Sequence, residues 1–596
     1  MNDTGWIQEI IDRDLAVPAD EGSNKILPLK DAVARLVKPS MSIHADITHG
    51  RPNGVMHEIV RQFWGKNPRF YISALGFGYN WVTLVQGGLV RRIAASFIGD
   101  PYPTPGPNHV LQRAFRDGSV EFENWSILSF TLRYMAAAMG LPYLPTHSVV
   151  GSTMAEHNTD DFDVVTDDKT GQTIGLVRAH VPDLGIIHGL AADRQGNTIL
   201  TPPLGDGVYG AMAAKYGTLV TVEKIVSTEF IRRHSHLVKL PSRYVSAVCE
   251  VPFGAHPSGI SNFQDVPGVA DYADDYDFYE EVRTASKDQS ALEHWIDEWI
   301  LSVNHDGYLN KLGPQRRLFL KGKADGDSWV SEIAPYIDEI AEAKPPNQAE
   351  LLVCAAGRKL ADIADNRGYD TILAGVGFSN LAAWLAARII NAQGGKVDLM
   401  AELGFYGYHP RPADPFIFNF RNIPACAMLT DIHHIMGIFM SGVNHKCVGA
   451  FGAAQIDKHG NVNSTMIPGK TFFVGSGGAN DVASGANESL VTMIQTRDRM
   501  VQKVPYITSP GRRIKTLVTT MAVYEKLDGD DELTLTAVLA DSSNPNKDAL
   551  VRNAKDNCGW DLKLAAEISV VPMPERKDIS ALRLWDPKGQ FLSKLS

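Results

Sequence analysis

The sequence predicts an α/β protein made of two related open α/β domains with largely parallel sheets. Three observations predict it. Short β-rich runs alternate with stretches of helical periodicity along most of the 596 residues. Two pairs of similar segments recur in the same order in the two halves. A polar stretch with two prolines, AEAKPPNQAE (341–350), separates those halves.

In the first half RFYISAL (69–75), IAASFI (93–98), LGIIHGL (184–190) and LVTVEKIV (219–226) read as buried strands. In the second half TILAGVG (371–377), ACAMLT (425–430), CVGAFGAAQI (447–456) and TLVTTMAV (516–523) read the same way. NGVMHEIVRQFW (53–64) and SNLAAWLAARIINA (379–392) have helical spacing, and RKLADIADNR opens the second half as a helix. The expected organisation is a first domain over 1–340, a linker over 341–350 and a second domain over 351–596. ALGFGYN (74–80) resembles AELGFYGYH (401–409), and AADRQGN (191–197) resembles AQIDKHGN (454–461). Together these matches suggest a duplicated unit with extra material in the first copy. In the first match, Ala-Leu-Gly-Phe of one copy faces Glu-Leu-Gly-Phe of the other. A carboxylate gained in one copy of a repeat reads as function rather than architecture.

Composition narrows the class. The apolar share is 44% and the charged share 21%, as in ordinary soluble domains. The net charge of −11 is spread along the chain, which argues against nucleic acid or an anionic membrane as the main partner. The five cysteines, at 249, 354, 426, 447 and 558, have neither metal-ligand nor redox spacing, so reduced thiols and a cytoplasmic location are expected. The acidic start lacks the regions of a signal peptide, and no apolar run approaches the ~20 residues of a membrane helix.

Two glycine-rich turns and one carboxylate stand out. In AELGFYG (401–407) a strand-like run leads into Glu402, with Gly404 and Gly407 permitting a tight turn at the ligand-binding edge of an open sheet. The alternative is a solvated loop carboxylate. VGSGGANDVASGA (474–486) can converge backbone N–H groups of Gly475, Gly477 and Gly478 on an anionic oxygen, or be a plain turn with Asn480 or Asp481 as helix cap. ILAGVGFSN (372–380), with Gly375 and Gly377, is a further strand-to-helix glycine turn. His409, His433 and His434 form no HExxH-like metal pattern, and His188 reads as a hydrogen-bonded core residue. No G-x-S-x-G elbow is present.

Taken in order, these motifs resemble the family I coenzyme A transferases, in particular the glutaconate CoA-transferase-like branch with its α and β subunits fused. In the first half the resemblance rests on LKDAVARLVKPSMSIHADITHGRPN, VEFENWSILSFTLRYMAAAMGLPYLPT (120–146) with GST (151–153), PDLGIIHGLAADRQGN, and CEVPFGAHPSGI (249–260). In the second half it rests on ELGFYG in the place of the β subunit's Glu-x-Gly-x-x-Gly, then GAAQIDKHGNVNST, GSGGAND and KVPYITSPG. The resemblance implies a superfamily shared with certain sugar-phosphate isomerases, an active site between the halves and a homo-oligomer. It implies Glu402 as nucleophile, acyl-CoA and a carboxylic acid as substrates, and no permanently bound cofactor or metal.

A carboxylate near the ordinary ~4.3 is already ionised at neutral pH and needs no general base. The glycine turns at 475–478 and 375–377 are then the expected oxyanion and CoA-binding elements. Arg51 and Arg411 are candidates for gripping a carboxylate, with Asn53 beside Arg51, and Phe405 and Tyr406 for shielding an anhydride from water. The sequence departs from the family pattern at ADITHGRPN (45–53), which replaces a glycine-rich, aromatic-tipped loop, and at Leu403. An acyl-CoA hydrolase on the same fold, including one that cleaves a carbon–carbon bond, and a non-catalytic acyl-CoA sensor are the competing readings.

Overall fold

A computed structural model of the chain describes residues 4–593 except 48, 103–104, 263–265, 343 and 541–545. Thr48 of the 45–53 loop and Ala343 of the linker therefore lie outside the described residues.

Each half builds its own sheet. The first contains nine strands: β1 (Ser42–Ala45), β2 (Phe70–Ser73), β3 (Val90–Ala95), β4 (Glu121–Asn124), β5 (Leu184–Ala192), β6 (Thr198–Ile199), β7 (Thr218–Ile225), β8 (Val238–Leu240) and β9 (Val245–Glu250). Seven run parallel in the order β4-β3-β2-β1-β5-β7-β9, β6 adds antiparallel to β5, and β8 adds antiparallel to β6. The second sheet has ten: β10 (Thr371–Ala374), β11 (Asp398–Ala401), β12 (Phe405–Tyr406), β13 (Met428–Leu429), β14 (Cys447–Gly452), β15 (Glu488–Met493), β16 (Ile514–Thr519), β17 (Ala522–Lys526), β18 (Leu533–Leu539) and β19 (Lys563–Val571). Its parallel centre is β11-β10-β14-β15-β16. The run expected as one strand over 516–523 is instead the hairpin β16–β17, which reverses at Thr520–Met521. ACAMLT contributes only the two residues of β13.

The duplication is visible in this order. The parallel run β2-β1-β5-β7-β9 of the first sheet matches β11-β10-β14-β15-β16 of the second, strand for strand. Helix α1 (Asn53–Phe63) joins β1 to β2, and α5 (Phe378–Ala392) joins β10 to β11. The second sequence match is the same kind of turn in both copies. Asp193 Oδ1 accepts the N–H groups of Gln195, Gly196 and Asn197, and Asn197 Nδ2 donates to its Oδ2 at 2.9 Å. Asp457 likewise accepts from His459 and Asn461, whose Nδ2 donates at 3.1 Å. A side chain that satisfies several turn amides at once explains why Asp and Asn recur four residues apart.

The extra material of the first copy includes α2 (Ile127–Ala138), a small antiparallel sheet over 143–178, and the helices after 276, among them α3 (His305–Lys323). Helix α4 (Gln348–Arg367) opens the second half from a capping box in which Asn347 and Glu350 each bond the other's backbone N–H. Residues 348–350 of the expected linker thus form its first turn. His188 is 1% exposed and bonded by Thr221 and Glu223, a core residue as expected. The five cysteines are free thiols, four of them buried. Among the described residues no helix is long and apolar enough to cross a membrane.

Candidate active site

Glu402 begins the turn of the β11–β12 hairpin. Met400 and Ala401 pair with Tyr406 and Phe405, leaving Glu402, Leu403 and Gly404 to reverse the chain. Gly404 has φ +131°, and a Cβ there would overlap the Thr430 carbonyl and approach Pro203 Cβ to 2.7 Å. The turn therefore demands glycine and packs directly on the first half. Because Leu373 pairs with Met400, the register carries Gly375 beside Glu402 at the C-terminal edge of the parallel sheet. In open α/β sheets that edge is where ligands bind.

The 474–478 turn crosses between the halves. Val474 O accepts the Ile98 N–H at 2.7 Å, Ser476 N–H donates to Asn124 Oδ1 at 3.1 Å, and Gly477 N–H donates to Ser96 O at 2.9 Å. Gly475, at φ +94°, abuts the Ser96 carbonyl and Asn124. Gly478 alone of the three turns to Glu402: its N–H favours the ionised carboxylate, and a Cβ at this position would overlap Glu402 Oε2. The other glycine turn is likewise bonded internally, with Gly375 N–H on Ala450 O at 2.8 Å and Gly377 N–H on Asn380 Oδ1 at 2.7 Å. Gly375, Gly377 and Gly477 thus shape their loops with engaged N–H groups, as buried backbone requires, and are not open oxyanion donors here.

Glu402 keeps part of its surface open to solvent while protein packs around the rest of its carboxyl group. Its surroundings overturn the expectation of an ordinary carboxylate. Burial and the negative charge of Asp481 push its pKa up to about 8, against the Gly478 N–H, which favours the ion. Asp481 is fully buried and itself raised to about 6 by burial, opposed by the Ser126 and Ser148 hydroxyls and the Ile127 and Leu128 N–H groups. It lies in α6 (Ala479–Gly485), directly after the glycine turn.

The remaining candidates separate. Arg51 donates from Nε to Ile47 O at 2.8 Å, lies over the Tyr79 ring at 4.9 Å and faces the half-buried Asp274. His49, which the sequence reading missed, stacks on Phe405 with ring centres 6.2 Å apart, so the 45–53 loop reaches the Glu402 hairpin through an aromatic contact. Burial and Arg51 lower the His49 pKa to about 3, which makes it a neutral wall. Asn53 is 0% exposed, with Oδ1 on Trp81 Nε1 at 2.6 Å and Nδ2 on Ala255 O at 2.6 Å. It fastens the loop and presents no face to a substrate. Phe405 is fully buried, whereas Tyr406 is half-buried with its hydroxyl on Asp398 at 3.2 Å and its ring against Phe439. Arg411 lies elsewhere, over the Trp329 ring at 5.0 Å and near Asp327 at 3.4 Å, bracing the connecting helices.

The fold also assembles what the spacing hid. Asp431, His433 and His434 bring possible metal-ligand atoms within 4.8 Å of one another. Asp431 Oδ1 already holds His434 Nδ1 at 2.8 Å and its backbone N–H at 2.9 Å.

Comparison with known proteins places this arrangement. The family model described as "Coenzyme A transferase" matches residues 27–250 and 438–539, more than half of the chain. The A-type polypeptide of glutaconate CoA-transferase from Acidaminococcus fermentans is 31% identical over 50% of this chain and 95% of its own. The B-type polypeptide of 3-oxoadipate CoA-transferase from Pseudomonas knackmussii is 25% identical over 40% of this chain and 93% of its own. In fold, the chain is similar to an acyl-CoA transferase of Escherichia coli O157:H7, with a TM-score of 0.63 at 16% identity over 96% of this chain and 97% of that one. The chain belongs to the coenzyme A transferase family, as a family I CoA-transferring enzyme with the A-type and B-type halves fused in one polypeptide.

Proposed function

We propose that the enzyme moves coenzyme A from an acyl-CoA to a carboxylic acid through covalent intermediates on Glu402. The observation that carries this reading is a half-buried glutamate at the C-terminal sheet edge, seated on the Gly478 N–H where the two halves meet. In the first step a Glu402 oxygen forms a bond to the thioester carbonyl carbon, the C–S bond breaks, and CoA leaves as thiolate with its electron pair. The thiolate then attacks the glutamyl carbonyl of the mixed anhydride, the anhydride C–O bond breaks, and the acyl group departs as a carboxylate. The resulting glutamyl-CoA thioester returns CoA to a second carboxylate by the reverse steps.

The raised proton affinity of Glu402 has a chemical use. A more basic carboxylate is a stronger nucleophile once ionised, and burial withholds the water that stabilises its charge. The Gly478 N–H that bonds Glu402 in the resting state lies where the glutamyl oxygen becomes an oxyanion under thiolate attack. It is therefore a preorganised donor for the second step. Arg51 is the cation we assign to substrate, since the loop that carries it contacts the Glu402 hairpin through His49 and Phe405. Residues 1–340 and 351–596 act as A-like and B-like domains, the enzyme works in the cytoplasm as a homo-oligomer, and it requires no permanently bound cofactor.

The test is chromatography of a panel of acyl-CoAs with and without carboxylic acid acceptors. A new acyl-CoA that forms only with acceptor and is lost in Glu402→Ala supports transfer. Equal release of free CoA without acceptor would replace it with hydrolysis.

A further inference from the structure

The Asn480–Asp481 pair looks, in sequence, like the cap of the helix it begins. The structure gives it other work. Asp481 Oδ2 accepts the Leu128 N–H at 3.0 Å, and the Ile127 N–H and the Ser126 hydroxyl also bear on this carboxyl. These groups form the first turn of α2, in the first half of the chain, where an anion is favoured by orphan N–H groups and the helix dipole. Ser148 faces the same carboxyl from a second first-half loop. Next to it, Asn480 Oδ1 accepts the Val149 N–H at 2.7 Å, and its Nδ2 donates to Thr508 O at 2.8 Å. Both side chains are 0% exposed. The same short segment carries Gly478, whose backbone lies against Glu402.

Taking Glu402 as the nucleophile, we infer that Asp481 is its positioning residue: it fastens the segment that carries Gly478 to the first turn of α2 and fixes a negative charge behind the reacting carboxylate. The groups that face Glu402 are Asp481 from α6 and the Gly478 N–H from the turn before it, while Met436 from the helical segment His433–Phe439 lies beside Gly478. Asp481 faces the Ser126 and Ser148 hydroxyls and the two N–H groups of α2. The charge of Asp481 makes ionisation of Glu402 harder, and its tie to α2 makes that effect depend on docking of the halves. A proton held between two neighbouring acids belongs to the pair, so weakening either hold on it moves the titration of the other.

The experiment uses the full-length enzyme and two variants. Asp481→Asn keeps the shape and removes the charge. Ser148→Ala removes a donor that favours ionised Asp481, so Asp481 binds the proton more readily and Glu402 is relieved in the same direction. Infrared difference spectra follow the protonated-carboxyl band of Glu402, identified by its loss in Glu402→Gln, and the pH profile of CoA transfer is recorded in parallel. We expect Asp481→Asn to move both midpoints to lower pH by about one unit or more, and Ser148→Ala to move them in the same direction by less. If Asp481→Asn does not fold, Ser148→Ala decides. An unmoved Glu402 band in the folded variants would overturn the inference. A moved band with an unmoved rate profile would uphold the placement of Asp481 and overturn Glu402 as the nucleophile.

Discussion

The ends of β2 and β11 occupy the same place in the two copies and have opposite fates. After β2 the chain runs on beside its neighbour: Ala74 is 0% exposed with its N–H on Ala94 O at 3.1 Å, and Gly76 and Phe77 pair in parallel with Phe97 and Ile98. The 474–478 turn of the second half then closes over that edge through Ser96 and Ile98. After β11 the chain folds back as β12, which leaves the carboxyl of Glu402 at the mouth of the turn. One strand end is sealed and apolar, and the other is open and acidic. The turn that seals the first also carries the N–H that reaches the second. Duplication therefore supplies both the acidic edge and, through contacts with the other copy, the means to hold it.

This contrast predicts its own failures. The largest expected effect is Glu402→Gln, which should lower CoA transfer by ~10³-fold or more in steady-state assays, as removal of a nucleophile does. The mirror change, Ala74→Glu, should create no second site. It should destabilise the fold by roughly 3–5 kcal/mol in denaturant titration, since it buries an uncompensated carboxyl group. Equal activity of Ala74→Glu and the parent, with unchanged stability, would mean the two edges are less different than described. Gly478→Ala places a methyl group against Glu402 Oε2 and should reduce kcat by ~10²–10³-fold, the scale of a lost oxyanion donor, with little change in melting temperature.

Proton linkage gives a smaller effect of definite sign. Glu402 binds its proton more tightly folded, at about 8, than at its ordinary 4.5. Its contribution to stability is thus present below pH 4.5 and lost as pH rises towards 8. Glu402→Gln escapes that loss. It should melt higher than the parent at pH 9, by about 1–2 °C for each kcal/mol recovered, and show no such gain at pH 4. The rate of transfer should rise with pH through the same range. The smallest difference is expected where the copies agree: Asp193→Ala and Asp457→Ala should each cost roughly 1–3 kcal/mol, since each leaves equivalent turn amides unpaired.

Much of this was legible in the chain itself. Alternating strand and helix patterns, the repeated Asp-x-x-x-Asn turn and the gained glutamate gave the layered fold, the duplication and the position of Glu402. The chemistry around Glu402 was not legible, because it is made by contacts between residues hundreds of positions apart. Asp481 reads as a local helix cap, yet its carboxyl serves Leu128. That placement, together with burial, raises Glu402 where composition gave an ordinary carboxylate. Asn53 and Arg411 show the reverse limit: residue types suited to substrates are drawn into Trp81 and Trp329 contacts that only the tertiary fold defines.

The most direct test is mass spectrometry of the enzyme incubated with an acyl-CoA substrate and quenched during turnover. Covalent catalysis by Glu402 predicts a coenzyme A adduct on the peptide that contains it, absent from Glu402→Gln and discharged by a carboxylic acid acceptor. Turnover with no adduct, or with an adduct on another residue, would contradict it.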